Sequence, residues 1–156
     1  MYVCFYKGCS LPALVVRYDT RRPEQSFSDV PGHCAIIIGE TLYEMISTGW
    51  NARIALPEDR MWSVDLQELD EVSAKITALS WRRTRYGWWV DALIGLSRVI
   101  PARWLLTTRG VQKPICSAFV KRVLEAAGWN CPHWLAGQFV PESPNDLWWA
   151  VRPKVL

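Results

Sequence analysis

The stretch HCAIIIGETLYEMI, residues 33–46, constrains this chain more than any other. Two apolar runs rich in β-branched and aromatic residues flank Gly39-Glu40, an arrangement that reads as a β-hairpin closed by a two-residue turn. Such a turn sets the register. Ile38 faces Thr41, Ile37 faces Leu42, Ile36 faces Tyr43, Ala35 faces Glu44, and His33 stands opposite Ile46. Side chains alternate between the faces of a strand, so His33, Ala35 and Ile37 share a face with Glu44, which lies diagonal to His33. A carboxylate in that position can hold an imidazole by one ring nitrogen. Cys34 is expected to point to the opposite face, away from the pair.

The segments around the hairpin divide into strands first and helices later. YVCFY and ALVVRY, separated by KGCSLP, are two short strands or one strand and a turn, and RYDTRRPEQSFSDVPG is a polar, proline-containing loop. STGWNARIALPEDRMWSVDL reads as loop and short strand. In LDEVSAKITALSWRRT, Leu69, Val72, Ile76 and Leu79 recur at helical spacing and predict an apolar face, with Asp65 or Asp70 as cap. YGWWVDALIGLSRVI predicts a second helix closed by Pro101. ICSAFVKRVLEAAG predicts a third, with Cys116, Phe119 or Val120, Val123, Leu124 and Ala127 on its apolar stripe and Gly128 as its stop. The tail, WLAGQFVPESPNDLWWAVRP, reads as proline-rich turns and a strand. Strands and a hairpin followed by helices predict an α+β domain, a small antiparallel sheet packed against helices and spanning residues 1–156 as one unit.

Composition excludes several classes. Half of the 156 residues are hydrophobic, enough to bury a core. The net charge of +3 is mild; the basic clusters at 17–23 and 81–87 carry no nucleic-acid motif, and no nucleic-acid partner is expected. Five cysteines without framework spacing argue against a disulfide-stapled secreted module and for a reduced compartment. The opening MYVCFYKGCSLPALVV has no charged n-region followed by a clean apolar run, so no signal peptide is expected. The longest apolar stretch, WWVDALIGLSRVIPARWLL, is broken by Asp91, Arg98, Pro101 and Arg103, so no transmembrane segment is expected and the protein reads as cytoplasmic where it is made. Ten tryptophans are many for this length; those in GWW (87–89) and LWW (147–149) suit the lining of a groove as well as a core.

Cys116 carries the chemical interest. The N-terminus of a helix favours a thiolate through its free N–H groups and dipole, so a first-turn cysteine is a candidate nucleophile, while a buried structural thiol fits the same position. A cysteine nucleophile needs a base, usually histidine. His33 opens a strand and is the preferred base; His133, in NCPHWLAG, lies in a loop with no strand to hold it. Glu44 is the candidate orienter of His33, or an exposed strand carboxylate. Metal binding by Cys131 and His133 with His33 and Cys34 is disfavoured, because Cys-x-His is not a usual zinc spacing. No cofactor or metal is expected.

The pieces in their order resemble the permuted NlpC-like branch of the papain-fold superfamily, typified by YiiX-like proteins. LVVRYDT precedes a loop and GHCAIIIG, similar to the family's Ser-His-hydrophobic strand. LYEMISTGW is similar to its hairpin partner with Glu44, ICSAFVKRVLEAAG to its Cys-Ser-Glu-Leu-Val helix, and VPESPNDLW to its proline-rich close. Ala118 and Met45 depart from the family pattern. The resemblance implies a circularly permuted papain-like fold, a bacterial or phage origin (virion-associated if phage-encoded), and a triad of Cys116 nucleophile, His33 base and Glu44 orienter. It implies a thiol hydrolase of the cysteine peptidase or amidase kind, acting on a peptide, isopeptide or cell-wall peptide. The alternatives are acyl transfer or thioester or ester cleavage on a lipid, and a non-catalytic binding module of the same fold.

Overall fold

The computed structural model describes residues 1–7, 14, 17, 21–60, 62–87, 115–132 and 143–152. Among these, five strands make one antiparallel sheet: β1 (Tyr2–Tyr6), β2 (His33–Ile38), β3 (Thr41–Ile46), β4 (Gly49–Ile54) and β5 (Ser63–Asp65), in the spatial order β4-β3-β2-β1-β5. Three helices accompany it: α1 (Glu71–Ser80), α2 (Cys116–Ala126) and α3 (Pro144–Val151). The architecture is α+β.

The hairpin forms in the register expected of a two-residue turn, with Ile38 opposite Thr41 and Ala35 opposite Glu44. Gly39 has φ of 61° and no residue other than glycine has positive φ among those described, which fits a type II′ turn with glycine first. The β2–β3 ladder ends at Ala35–Glu44, so His33 pairs instead with Tyr6 across β1. STGWNARI contributes a full strand, β4, laid along β3 from Gly49 opposite Ile46 to Ile54 opposite Thr41.

One face of the sheet is dry. Val3, Phe5, Cys34, Ile36, Ile38, Tyr43 and Met45 point from it into a core shared with α2, where Phe119, Val120, Val123 and Leu124 are fully buried. α2 follows the expected stripe and ends at Gly128, whose φ is 91°. Trp129 N–H donates to Leu124 C=O and Gly128 N–H to Glu125 C=O, the paired bonds of a Schellman close.

One expectation fails here. Asp70 does cap α1, accepting from the Val72 and Ser73 N–H groups. Yet α1 turns Ala74 and Ala78 to the core and leaves Val72, Ile76 and Leu79 at 68%, 66% and 43% exposure. Alanine lets α1 come close to α2, and that close approach, not the size of the apolar residues, selects the buried face. The described part of the tail holds a helix: Pro144 sits in the first turn and Ser143 forms a capping box with Asp146, while the rest of WLAGQFVPES lies outside the described residues. The expected strand ALVVRY and the helix YGWWVDALIGLSRVI lie wholly or largely outside the described residues, as do His133 and Cys9.

Candidate active site

β2 and β3 bring His33 and Glu44 together, and the His33 Nε2 to Glu44 Oε2 distance is 3.1 Å. The two residues lie eleven positions apart, and the hairpin register alone accounts for their meeting. Glu44's other oxygen accepts from Asn51 Nδ2 at 3.0 Å, and Arg53 Nε stands 3.9 Å from the same oxygen. Asn51 pairs directly with Glu44 across β4, while Arg53 sits two residues on, on the same face. Behind them Arg53 grips the buried Asp59 with two bonds of 2.6 and 2.7 Å, and Tyr6 Oη donates to Asp59 at 2.9 Å. The Tyr6 ring lies 5.8 Å from the His33 ring. One face of the sheet thus carries a continuous polar chain from Asp59 through Arg53 and Glu44 to His33.

Cys116 arrives from the other layer. It is the first residue of α2, and the cap position, Ile115, has no side chain able to bond the first-turn N–H groups. Its sulfur lies at the head of β2, where the His33 ring, the Cys34 thiol and the Cys34 backbone N–H act on its charge. Because His33 spends Nε2 on Glu44, Nδ1 is the nitrogen left for the thiol. The structure therefore brings together all three residues that the sequence singles out.

The electrostatics agree across the group. The neighbouring Cys34 thiol does most to hold Cys116 well below the usual thiol range; burial opposes it, and the charge of His33 reinforces it. Burial pulls His33 down, but the negative sulfur and the bonds to Cys116 and Glu44 outweigh it and push the ring up to about 10. Glu44 is raised by burial and lowered more by His33 and Asn51, so it stays ionised. These directions favour a thiolate–imidazolium pair backed by a carboxylate. Cys116 is only 4% exposed, and the His33 and Glu44 side chains are 22% and 12% exposed, so water screens the pair weakly.

Cys34 corrects an expectation. It does face the side of β2 opposite to His33, among the core residues, yet it is not away from the site: α2 packs on that face, and its first residue meets Cys34. Sequence reasoning also missed Asn51 and Arg53. Their signal was the alternation within GWNARI, which is visible only once that segment is taken as a strand beside β3. Among the described residues no group of three His, Cys, Asp or Glu is arranged to hold a metal ion. No helix among them is long and apolar enough to cross a membrane.

A groove of about 580 Å³ is lined in part by Lys7, Glu24, Trp62, Trp148, Trp149 and Arg152, and Cys116, His33 and Glu44 are not among its lining residues. Of the lining residues, Lys7 directly follows Tyr6, the strand partner of His33. Trp62 and Trp148 stack edge-on at 5.6 Å, and Arg22 and Arg152 both lie over the Trp149 ring. The LWW tryptophans do line a groove; Trp88 and Trp89 lie outside the described residues. In comparison with known proteins the chain matches no family model, no curated protein and no solved structure, so the reading of this site rests on its own geometry.

Proposed function

We propose that the protein is a thiol hydrolase that cleaves an amide bond in a peptide, an isopeptide or a cell-wall peptide, on a circularly permuted papain-like fold. The observation that carries this reading is the unbroken chain Cys116–His33–Glu44 at a helix start. A thiolate paired with an imidazolium at neutral pH is the resting state of a cysteine nucleophile.

In this mechanism the Cys116 thiolate attacks the scissile carbonyl. The uncapped N–H groups at the start of α2 stabilise the oxyanion. His33 gives its Nδ1 proton to the leaving amine, and the acyl group remains on Cys116. Neutral His33 then takes a proton from the attacking water as the thioester breaks, and the ion pair re-forms. Glu44 keeps the ring oriented and stabilises its charged form throughout, and Asn51 holds Glu44.

The groove supports a peptide over a lipid. An acyl chain favours an apolar wall, whereas this one mixes indoles with Lys7, Glu24, Asp29 and Arg152, charges that a peptide backbone and side chains can satisfy. The tryptophans keep a second reading, ester or thioester cleavage of an acyl substrate, as the competitor. The test is turnover on a panel of peptide amides, isopeptides, cell-wall peptides and acyl esters, with Cys116→Ala as control. Amide cleavage that vanishes in Cys116→Ala supports the proposal. Cleavage of acyl esters alone favours the second reading, and turnover unchanged in Cys116→Ala removes both.

A further inference from the structure

The hydrolytic mechanism leaves one sulfur unused. Cys34 is completely buried, lies on the face of β2 that receives α2, and shares one buried cluster with Cys116. The other thiols are placed differently. Cys4 packs on the opposite face of the sheet, with Ala35, Ile37 and Leu42. Cys131 follows α2, beyond the far end of the helix from Cys116. Cys34 is thus the thiol among those described whose contact with Cys116 the fold builds in, between a strand and a helix that pack together.

We propose that Cys34 is a resolving cysteine: when a peroxide oxidises Cys116, Cys34 captures it as a Cys34–Cys116 disulfide, a reversible modification that shields the site sulfur from irreversible oxidation. A reactive thiolate with a second thiol beside it is the arrangement in which sulfenic acids are trapped. The steps balance. The Cys116 thiolate attacks one oxygen of hydrogen peroxide, the O–O bond breaks, and the leaving hydroxide takes the proton of the His33 imidazolium to become water. Cys116 is now a sulfenic acid and His33 is neutral. Cys34 sulfur then attacks the Cys116 sulfur, the S–O bond breaks, and hydroxide leaves as water carrying the Cys34 proton, relayed by His33. Two thiols are oxidised and one peroxide yields two waters.

Oxidation itself prepares the second step. Burial, and after it the hydrogen bond and charge of Cys116, hold Cys34 protonated in the resting enzyme. A sulfenic acid carries no such charge, so the loss of the thiolate eases Cys34 toward ionisation at the moment its attack is required. Reduction by a dithiol restores both sulfurs.

This inference rests on the reading of Cys116 as the reactive thiol, and the experiment separates the two. Iodoacetamide labelling of the untreated protein identifies the reactive thiol; if Cys116 is not labelled first, that reading and this inference both fail. The protein is then treated with hydrogen peroxide and digested without reduction for mass mapping. The expected product is a Cys34–Cys116 cross-link, with Cys116 labelling lost and recovered at least tenfold by dithiothreitol. In Cys34→Ala, and in Cys34→Ser as the variant that retains a polar group and nearly the same size, Cys116 should pass to sulfinic and sulfonic acid and resist dithiothreitol. Fast Cys116 labelling, together with a disulfide that omits Cys34, overturns the inference and leaves the hydrolase reading standing. So does recovery of Cys34→Ala as complete as that of the unsubstituted protein.

Discussion

The two faces of the central sheet are built from the same strands and do opposite work. On one, Val3, Phe5, Ile36 and Met45 alternate into a dry core beneath α2. On the other, Tyr6, His33, Glu44, Asn51 and Arg53 line up into a polar chain that ends in the buried Asp59. The core face holds α2 in place, and the polar face sets the ring angle and charge of His33. The candidate site lies at the end of β2, where α2 delivers Cys116 from the core side to a histidine of the polar side. The candidate residues gather where the two faces meet, because neither face alone offers both a helix start and a carboxylate.

The comparison breaks most visibly at Cys116. In the proposed mechanism Cys116→Ala should lower turnover on the order of 10⁴-fold or more, since it removes the attacking thiolate. Its fold should persist, which melting would check.

On the core face, Phe119→Ala should destabilise the protein by about 3–5 kcal/mol, because Phe119 is fully buried and packs edge-on against Trp81 at 6.1 Å. Denaturant unfolding measures this. A loss below about 1 kcal/mol would mean that α2 is not anchored as described.

The polar face predicts an unusual pH profile. Cys116 is depressed, so its share of stability is fully present above the unfolded thiol value and is lost as pH falls through its folded value. His33 is raised to about 10, so its share is fully present below its unfolded value and is lost as pH rises through about 10. Between those limits the ion pair persists. Iodoacetamide should therefore label Cys116 at a rate that changes little between neutral pH and about pH 9, and faster at neutral pH than it labels an ordinary thiol. In His33→Ala the rate should instead climb about tenfold per pH unit.

Glu44→Gln sharpens the division of labour. It keeps shape and loses charge, so turnover should fall between roughly 10- and 100-fold while the melting temperature moves little. Unchanged turnover would assign the orientation of His33 to another group, and a collapsed melting temperature with a fully active folded fraction would make Glu44 structural.

The smallest effect is expected on α1. Ile76→Gln should change stability by no more than about 0.5 kcal/mol, because Ile76 is 66% exposed, whereas Ala78→Gln on the buried side should be strongly destabilising. Denaturant midpoints of the two variants give the answer, and a reversed order would restore the apolar stripe as the core face.

Much of the site was legible because it is local. The turn at Gly39 and the alternation of HCAIII and TLYEMI lead to the His33–Glu44 contact without knowledge of the remaining chain. Cys116 was legible as a helix start. Asn51 and Arg53 were not, since GWNARI has too weak an apolar pattern to announce a strand before β3 is there to pair with it. Nor was the buried face of α1: helical spacing makes Val72, Ile76 and Leu79 a stripe, but whether a stripe is covered depends on which neighbour comes close. The tail helix was hidden by prolines that read as turns and that, in Pro144, start the helix.

By itself, the sequence determined what short-range geometry decides: the hairpin and its register, the ends of α2, the pairing of a histidine with a glutamate. Those follow from turn chemistry and side-chain alternation, which act over a few residues. Only the tertiary structure decided that Cys116 meets His33, that Cys34 shares its sulfur's surroundings, and that alanines rather than larger residues face the core from α1. These depend on α2 docking across the sheet, a long-range contact set by burial and close packing of the whole interior, and no local pattern encodes how two distant surfaces will fit.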